Sequence, residues 1–233
     1  MLKKTLSKKL SEINQISRKQ AEVIIKNKKV YVNGEIETRP FISVVERDKI
    51  ETQKENQKEI NVLLFHKPKG CITSKKDEKN RTIVYDFLPK KFHNFHYIGR
   101  LDYNSEGLLA FTDHTPFKRF MESPKSKIKR IYLVNVIGSF NDIKLKAMNQ
   151  KIYSSIAYEK IKVILAHSNK NKHTLRFELL EGKNREIRNI CEIFNLKVEK
   201  LKRISFGKFI LKTIPHSKYK EMKIIYENYK RQI

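Results

Sequence analysis

The most informative stretch of this sequence is Gly99-Arg100-Leu101-Asp102-Tyr103-Asn104-Ser105-Glu106-Gly107-Leu108-Leu109. An acid lies beside an arginine in a polar loop, followed by a glycine turn and an apolar strand, so the loop holds one carboxylate, Asp102, on a rigid support. On these residues alone a surface salt bridge is an open alternative. A glycosidase pair of Asp102 and Glu106 is a weaker one, because the sequence does not give the distance between the two carboxyl groups.

The segments on either side of this loop alternate between strand and helix patterns without regular βαβ order. Runs of apolar and β-branched residues predict strands over 61–65, 131–138 and 174–180. A helix is predicted over 185–194, after a polar turn at 181–184. This pattern indicates an α+β domain with a mostly antiparallel central sheet flanked by helices.

The first fifty residues predict a small basic module. Ser17 and Gln20 have the spacing of a capping box at the start of a helix, and a short strand over 29–32 leads into the tight turn Asn33-Gly34. Basic side chains crowd this helix and its exit: Arg18, Lys19, Lys26, Lys28 and Lys29. Taken alone, they fit either a nucleic-acid surface or an ordinary solvated helix face.

Composition bounds the kind of protein. The 233 residues include 51 Lys and Arg against 25 Asp and Glu, a formal net charge of +26, which suits a polyanionic partner. Compositional drift and a membrane surface are the rival explanations. The absence of a long apolar run, of a signal-peptide pattern and of more than two cysteines predicts a cytoplasmic protein. No zinc spacing or glycine-rich phosphate loop is present, so no metal or cofactor is expected.

Domain boundaries follow from a polar segment with no apolar residue at 51–59. Such a composition cannot bury surface and predicts a linker. We therefore expect a small N-terminal module at 1–50, a linker at 51–60 and a larger domain at 61–233.

The run at 99–109 resembles the signature of the bacterial ribosomal pseudouridine synthases, the RsuA family. Three further motifs follow the family order, at 66–70, 129–134 and 181–188. Residues 10–34 resemble the alpha-L RNA-binding module, although the family's usual glycine before the first strand is here Lys28. The left-handed backbone position at this helix exit must therefore be taken by Lys28 or Asn27.

This resemblance implies that the chain converts a uridine in RNA to pseudouridine, after extruding the base from its stack. Asp102 would be the catalytic carboxylate, as nucleophile or base, and Arg185 would pair with it and keep it ionised. Tyr132 would stack on the base and help remove the carbon-5 proton, with Ile187 as an apolar wall. The implied substrate and RNA contacts are Arg100, Leu101, Ile187, Lys67, Lys69, Lys183, Arg188, Ser17, Arg18, Lys19, Lys28 and Lys29.

The expected partner is ribosomal RNA, free or in a ribosomal assembly intermediate, with closer similarity to large-subunit members. We expect a monomer that needs no cofactor, since the reaction is redox-neutral within one nucleotide. A non-catalytic RNA-binding or ribosome-assembly factor on the same scaffold is the main alternative, and a DNA-binding module is another. The presence of both Asp102 and Arg185 argues against a binder, which has no need of that pair.

Overall fold

The chain forms two compact units, Met1–Lys58 and Glu59–Ile233. The computed structural model describes residues 4–14, 16–53, 59–150, 152 and 161–231. Of the predicted linker at 51–60, residues 54–58 lie outside this description. Its two ends differ from the prediction, because 51–52 and 59–60 are strand residues. The acidic side chains of these segments point to solvent while their backbone pairs with neighbouring strands. A prediction from composition alone treats such polar segments as unstructured.

The described part of the N-terminal unit contains two helices and five short strands. The helices are α1 (Leu6–Asn14) and α2 (Arg18–Lys26), and the strands are β1 (Lys4–Thr5), β2 (Val30–Val32), β3 (Glu35–Ile36), β4 (Ser43–Val44) and β5 (Ile50–Thr52). β1 pairs with β4, and a second antiparallel sheet has the order β3-β2-β5. Apolar residues three or four apart on each helix face inward and form one small core, with Leu6, Leu10, Ala21, Ile25, Val30 and Val44.

Local signals in this unit are confirmed. The Ser17 hydroxyl accepts from the Gln20 amide, and the Gln20 side chain accepts from the Ser17 amide, which completes the capping box. Lys28, with φ +58°, takes the left-handed position after α2. Asn33 and Gly34 both have positive φ and join β2 to β3 in a two-residue hairpin.

In its described residues, the second unit contains a large sheet, four α-helices and three 3₁₀ turns. Its strands are β6 (Glu59–Lys67), β7 (His96–Ile98), β8 (Glu106–Thr112), β9 (Arg130–Ile137), β10 (Lys162–Asn169), β11 (Lys172–Leu179), β12 (Lys197–Phe206), β13 (Phe209–Ile210) and β14 (Tyr219–Ile225). Its helices are α3 (Thr115–Glu122), α4 (Asp142–Met148), α5 (Glu186–Ile193) and α6 (Tyr226–Arg231), and the 3₁₀ turns are Val84–Phe87, Lys90–Phe92 and Pro124–Ser126.

These nine strands form one sheet of order β10-β11-β9-β12-β8-β6-β14, with β7 on β8 and β13 on β12. All pairings are antiparallel except the one between β12 and β8. The predicted α+β class with a mostly antiparallel sheet flanked by helices is therefore confirmed. Alternation along β6 and β8 divides the core between the two faces. One face is covered by α4 and α5, the other by α3 and α6.

The parallel contact between β8 and β12 is short and close. It pairs Glu106 with Lys202 and Gly107 with Arg203. Gly107 has φ +111°, and a Cβ at this position would lie 2.6 Å from the Arg203 backbone nitrogen. The two strands approach so closely here because residue 107 has no side chain.

None of the helices in the described part of the chain is long and apolar enough to span a membrane.

Candidate active site

A cleft of about 740 Å³ opens beside the loop between β7 and β8. Asp102, Tyr132 and Arg185, the three predicted catalytic residues, all line it. Five of the predicted RNA-contacting residues do so as well, namely Arg100, Leu101, Lys183, Ile187 and Arg188. Residues from three of the four motifs, 99–109, 129–134 and 181–188, therefore meet at one site, although they are far apart in the chain.

The loop that carries Asp102 is fixed through its backbone. The Thr73 hydroxyl donates to the Leu101 carbonyl over 2.8 Å, and the Ser105 amide donates to the Asp102 carbonyl over 3.0 Å. Glu122 accepts from the Gly99 amide over 2.8 Å. Leu101 and Ser105 are buried, whereas Asp102 is exposed. The main chain is thus anchored while the carboxylate stays accessible from the cleft.

Lys67, which was predicted as an RNA contact, lies buried under this loop and supports its backbone. Its side chain is 0% exposed, and its ammonium donates to the carbonyls of Pro68, Asp102 and Ser105 over 2.9 to 3.1 Å. Burial lowers the pKa of this ammonium. All three of its N–H bonds are used inside the protein, and none is left for a phosphate.

Replacing Lys67 with Met should therefore destabilise the fold. Three buried carbonyls lose their donor, which costs about 3 kcal/mol of unfolding free energy and loosens the backbone around Asp102. Denaturant unfolding measures the loss. Lys69→Met is the matched control: Lys69 is exposed and makes one bond, to the Glu199 carbonyl, so its change should stay within about 0.5 kcal/mol. Equal stability of the two variants would contradict this role for Lys67.

Arg188 ties α5 to the same loop. Its guanidinium donates to the Asn104 carbonyl over 3.0 Å and lies 3.5 Å from the Ser105 hydroxyl. Burial and the nearby Arg185 cation lower the pKa of Arg188, and the Asp102 carboxylate partly offsets this. Asp102 therefore lies in the field of a half-buried arginine that also holds its loop.

Arg185 occupies a strained position at the start of α5. Its backbone is left-handed, with φ +52°, and its side chain is exposed. Within the described ranges Arg185 and Asp102 line one cleft but make no direct ion pair. The pairing of these two side chains stays a prediction.

Tyr132 and Ile187 supply the apolar part of the cleft. Tyr132 lies in β9 between Phe177 of β11 and Arg203 of β12, and 8% of it is exposed. Ile187 lies in the first turn of α5 and is 4% exposed. Both belong to the main core and also line the cleft, which suits contact with a planar base.

Two buried arginines near the cleft were not predicted. Arg130 donates to the carbonyls of Ile128 and Leu180 over 3.0 and 3.1 Å, and Arg203 donates to the Leu108 carbonyl over 2.7 Å. Both guanidinium groups stack on one ring, Phe206, with 5.0 and 4.9 Å from their central carbons to its centroid. The period of two along β9 places Arg130 on the same face as Tyr132, so Arg130 could have been found from the sequence.

Glu186 is an unpredicted buried carboxyl in the same cleft. One oxygen accepts from the Lys183 amide over 3.0 Å, and the other has no hydrogen-bond partner among the described residues. Burial raises the pKa of this carboxyl above its ordinary value of 4.5.

This raised pKa gives the stability a pH dependence. A carboxyl with a higher pKa when folded contributes most below its unfolded pKa, and the contribution is lost as pH rises through the folded value. In the Glu186→Gln variant the side chain at this position has no titratable group. This variant should be more stable than the wild type at pH 8, by about 1 kcal/mol, and equally stable at about pH 4. Denaturant unfolding across this range, with the exposed Glu192→Gln as control, tests the sign. A gain at pH 4 that matches the gain at pH 8 would refute it.

Lys69, another predicted contact, is not among the residues that line the cleft. Lys69 is exposed, and its ammonium donates a hydrogen bond to the Glu199 carbonyl. In the N-terminal unit Ser17 caps α2, Arg18, Lys19 and Lys28 are exposed, and Lys29 is half-buried. In the part of the chain that the structure describes, no three His, Cys, Asp or Glu side chains form a group that could hold a metal ion.

Comparison with known proteins identifies the family of this chain. The sequence profile described as RNA pseudouridylate synthase matches residues 61–192. An uncharacterized RNA pseudouridine synthase of Rickettsia felis is 36% identical over 225 residues, which cover 93% of this chain and 96% of that one. The ribosomal large subunit pseudouridine synthase B of Bacillus subtilis is 32% identical over 211 residues, covering 87% and 85%.

A solved structure has the same fold. The crystal structure of a pseudouridylate synthase superposes with a TM-score of 0.65 at 21% identity and covers 100% of both chains. At this identity the likeness bears on the fold alone.

Proposed function

The chain belongs to the RNA pseudouridylate synthase family, and we propose that it converts a uridine of large-subunit ribosomal RNA to pseudouridine with Asp102 as the reacting carboxylate. The observation that carries this proposal is the position of Asp102: an exposed carboxylate on a backbone-locked loop, at a cleft that it shares with Tyr132 and several cations. The choice of ribosomal RNA follows the names of relatives such as the Bacillus subtilis protein.

The chemistry is an isomerisation within one nucleotide. The bond from the ribose to uracil N1 breaks, the base turns, and a bond to carbon 5 forms; N1 gains a proton and carbon 5 loses one. Asp102 acts as nucleophile or base while the first bond is broken. Tyr132 stacks on the base and assists removal of the carbon-5 proton, and Ile187 and Leu101 enclose the base.

Cations in the cleft make this carboxylate effective. Arg185 and Arg188 line the same cleft and bring positive charge to the side of Asp102. Arg100, Lys183 and the same two arginines face the phosphates of an extruded nucleotide. The site therefore attracts a polyanion and still presents one negative side chain to the sugar.

The N-terminal unit acts as an alpha-L RNA-binding module, with Arg18, Lys19 and Lys28 on its exposed basic surface. In the full chain, replacement of Arg18 and Lys19 by Ala should weaken binding of ribosomal RNA and flatten its salt dependence, since each phosphate contact releases counterions. An unchanged salt dependence would remove these two residues from the RNA interface.

Mapping pseudouridines in ribosomal RNA, with and without the gene, tests the main proposal. We expect one or a few large-subunit positions to lose the modification and to regain it on complementation. Unchanged maps together with tight RNA binding would favour a non-catalytic ribosome-assembly factor. We propose that the protein acts as a cytoplasmic monomer on ribosomal RNA or on an assembly intermediate. The test compares a strain in which the gene is deleted with the same strain expressing the full chain.

A further inference from the structure

We propose that a second pocket, next to the catalytic cleft, binds the nucleotide that flanks the target uridine in the same RNA strand. This inference rests on the proposed function, because it assigns part of the same substrate. The pocket is lined by Ser74, Lys75, Lys76, His96, Tyr97 and Lys118.

The pocket continues the cleft. It has a volume of about 460 Å³, and two of its residues, Tyr97 and Lys118, also line the catalytic cleft. Tyr97 is in β7, the strand that leads into the loop carrying Asp102. A strand of RNA with its reacting nucleotide at Asp102 therefore has its next nucleotide at Tyr97.

Its chemistry suits one nucleotide. Three lysines line the pocket, and none of its lining residues is acidic. Lys118 is paired with Glu122, whereas Lys75 and Lys76 make no ion pair within the described ranges. Lys75 and Lys76 line the pocket together with the aromatic side chains of Tyr97 and His96, and the Lys75 ammonium lies 5.8 Å from the centroid of the Tyr85 ring. Cations and aromatic rings in one pocket match the arrangement that single-stranded nucleic acid binds: a cationic track for the backbone and an aromatic face for a base.

The loop that presents the two lysines is already ordered. The Ser74 hydroxyl donates to the Lys76 carbonyl over 2.6 Å, and the Asp77 carboxylate accepts from the amides of Lys79 and Arg81. The Arg81 guanidinium also donates to Asp77, and these bonds lower the pKa of Asp77 to about 2. The loop therefore keeps its shape across the neutral range, so that little ordering is required on binding.

A double variant tests the phosphate contacts. With in vitro transcribed large-subunit rRNA as substrate, Lys75→Ala/Lys76→Ala should raise KM about 10-fold with little change in kcat, because each lost phosphate contact weakens binding at moderate salt. The slope of log(kcat/KM) against log[KCl] should become shallower by about 1.4, the value for two contacts to a single strand. The control is Lys90→Ala/Lys220→Ala, which removes two exposed lysines that line neither pocket.

A second pair of variants tests stacking on the ring. Tyr97→Leu should raise KM about 10-fold, since a base loses an aromatic face. Tyr97→Phe keeps the ring and should restore the wild-type KM. If Tyr97→Phe raises KM as much as Tyr97→Leu does, binding depends on the hydroxyl and not on the ring. That result would contradict the stacking contact.

The outcomes separate the two proposals. If the wild-type protein forms no pseudouridine in any ribosomal RNA, the proposed function fails, and the pocket is then tested by the binding of short oligouridylates to the same variants. If the wild type is active and Lys75→Ala/Lys76→Ala matches the control in KM and in salt slope, this inference is overturned and the proposed function stands.

Discussion

Asp102→Asn should abolish pseudouridine formation, lowering kcat by about 10³-fold or more, while the protein stays folded and bound to RNA. The amide can neither attack the sugar nor accept a proton at neutral pH. The loop is held through its carbonyls by Lys67 and Thr73, so the fold does not depend on the carboxylate. Affinity for RNA should stay equal or rise slightly, because one like charge is removed from the path of the phosphates.

The measurement is pseudouridine formed per enzyme on transcribed large-subunit rRNA, with thermal unfolding and RNA binding determined on the same preparations. Asp142→Asn is the matched control, since Asp142 is an exposed carboxylate in the first turn of α4. It should leave all three quantities at wild-type values. Activity of Asp102→Asn within tenfold of the wild type would assign the chemistry to another group.

Gly107→Ala should be the most destabilising small substitution in the catalytic unit. The backbone at residue 107 has φ +111°, which disfavours any side chain, and the added methyl group would overlap the Arg203 main chain. Either the strands β8 and β12 separate or the loop before β8 moves. We expect a loss of about 4 kcal/mol in unfolding free energy, together with reduced activity.

Gly182→Ala is the control for this variant. A methyl group there would meet its nearest atom, in the Arg130 side chain, at the ordinary contact distance of 3.6 Å. Its unfolding free energy should change by less than about 1 kcal/mol. Denaturant titration of the three proteins compares them directly. If Gly107→Ala unfolds at the wild-type denaturant concentration, the close contact between β8 and β12 is not needed.

The sequence predicted features that depend on near neighbours. The capping box of Ser17 and Gln20 and the hairpin at Asn33-Gly34 each need only a few adjacent residues, and both are present. The strands predicted at 61–65, 131–138 and 174–180 agree with β6, β9 and β11 to within two residues at each end, because their runs are long and apolar. The order of the motifs along the chain was enough to predict that Asp102, Tyr132 and Arg185 share one site, and all three line one cleft.

Features that depend on distant contacts were not predictable in the same way. Lys67 looks like a surface cation in its motif, and only the carbonyls of Asp102 and Ser105 reveal that it points inward. Arg203 and Glu186 are buried for similar reasons: their partners come from other strands or from the turn before α5. Charge alone could not tell a side chain that binds phosphate from one that holds the main chain.

The join between β8 and β12 has a consequence for biosynthesis. The loop carrying Asp102 emerges from the ribosome well before Arg203, whose guanidinium donates to the Leu108 carbonyl beside that loop. A nascent chain that ends before β12 cannot complete the sheet, and contacts this distant in sequence slow folding. We therefore expect partly made copies to be inactive, because the sheet beside the Asp102 loop is complete only after β12 has been synthesised.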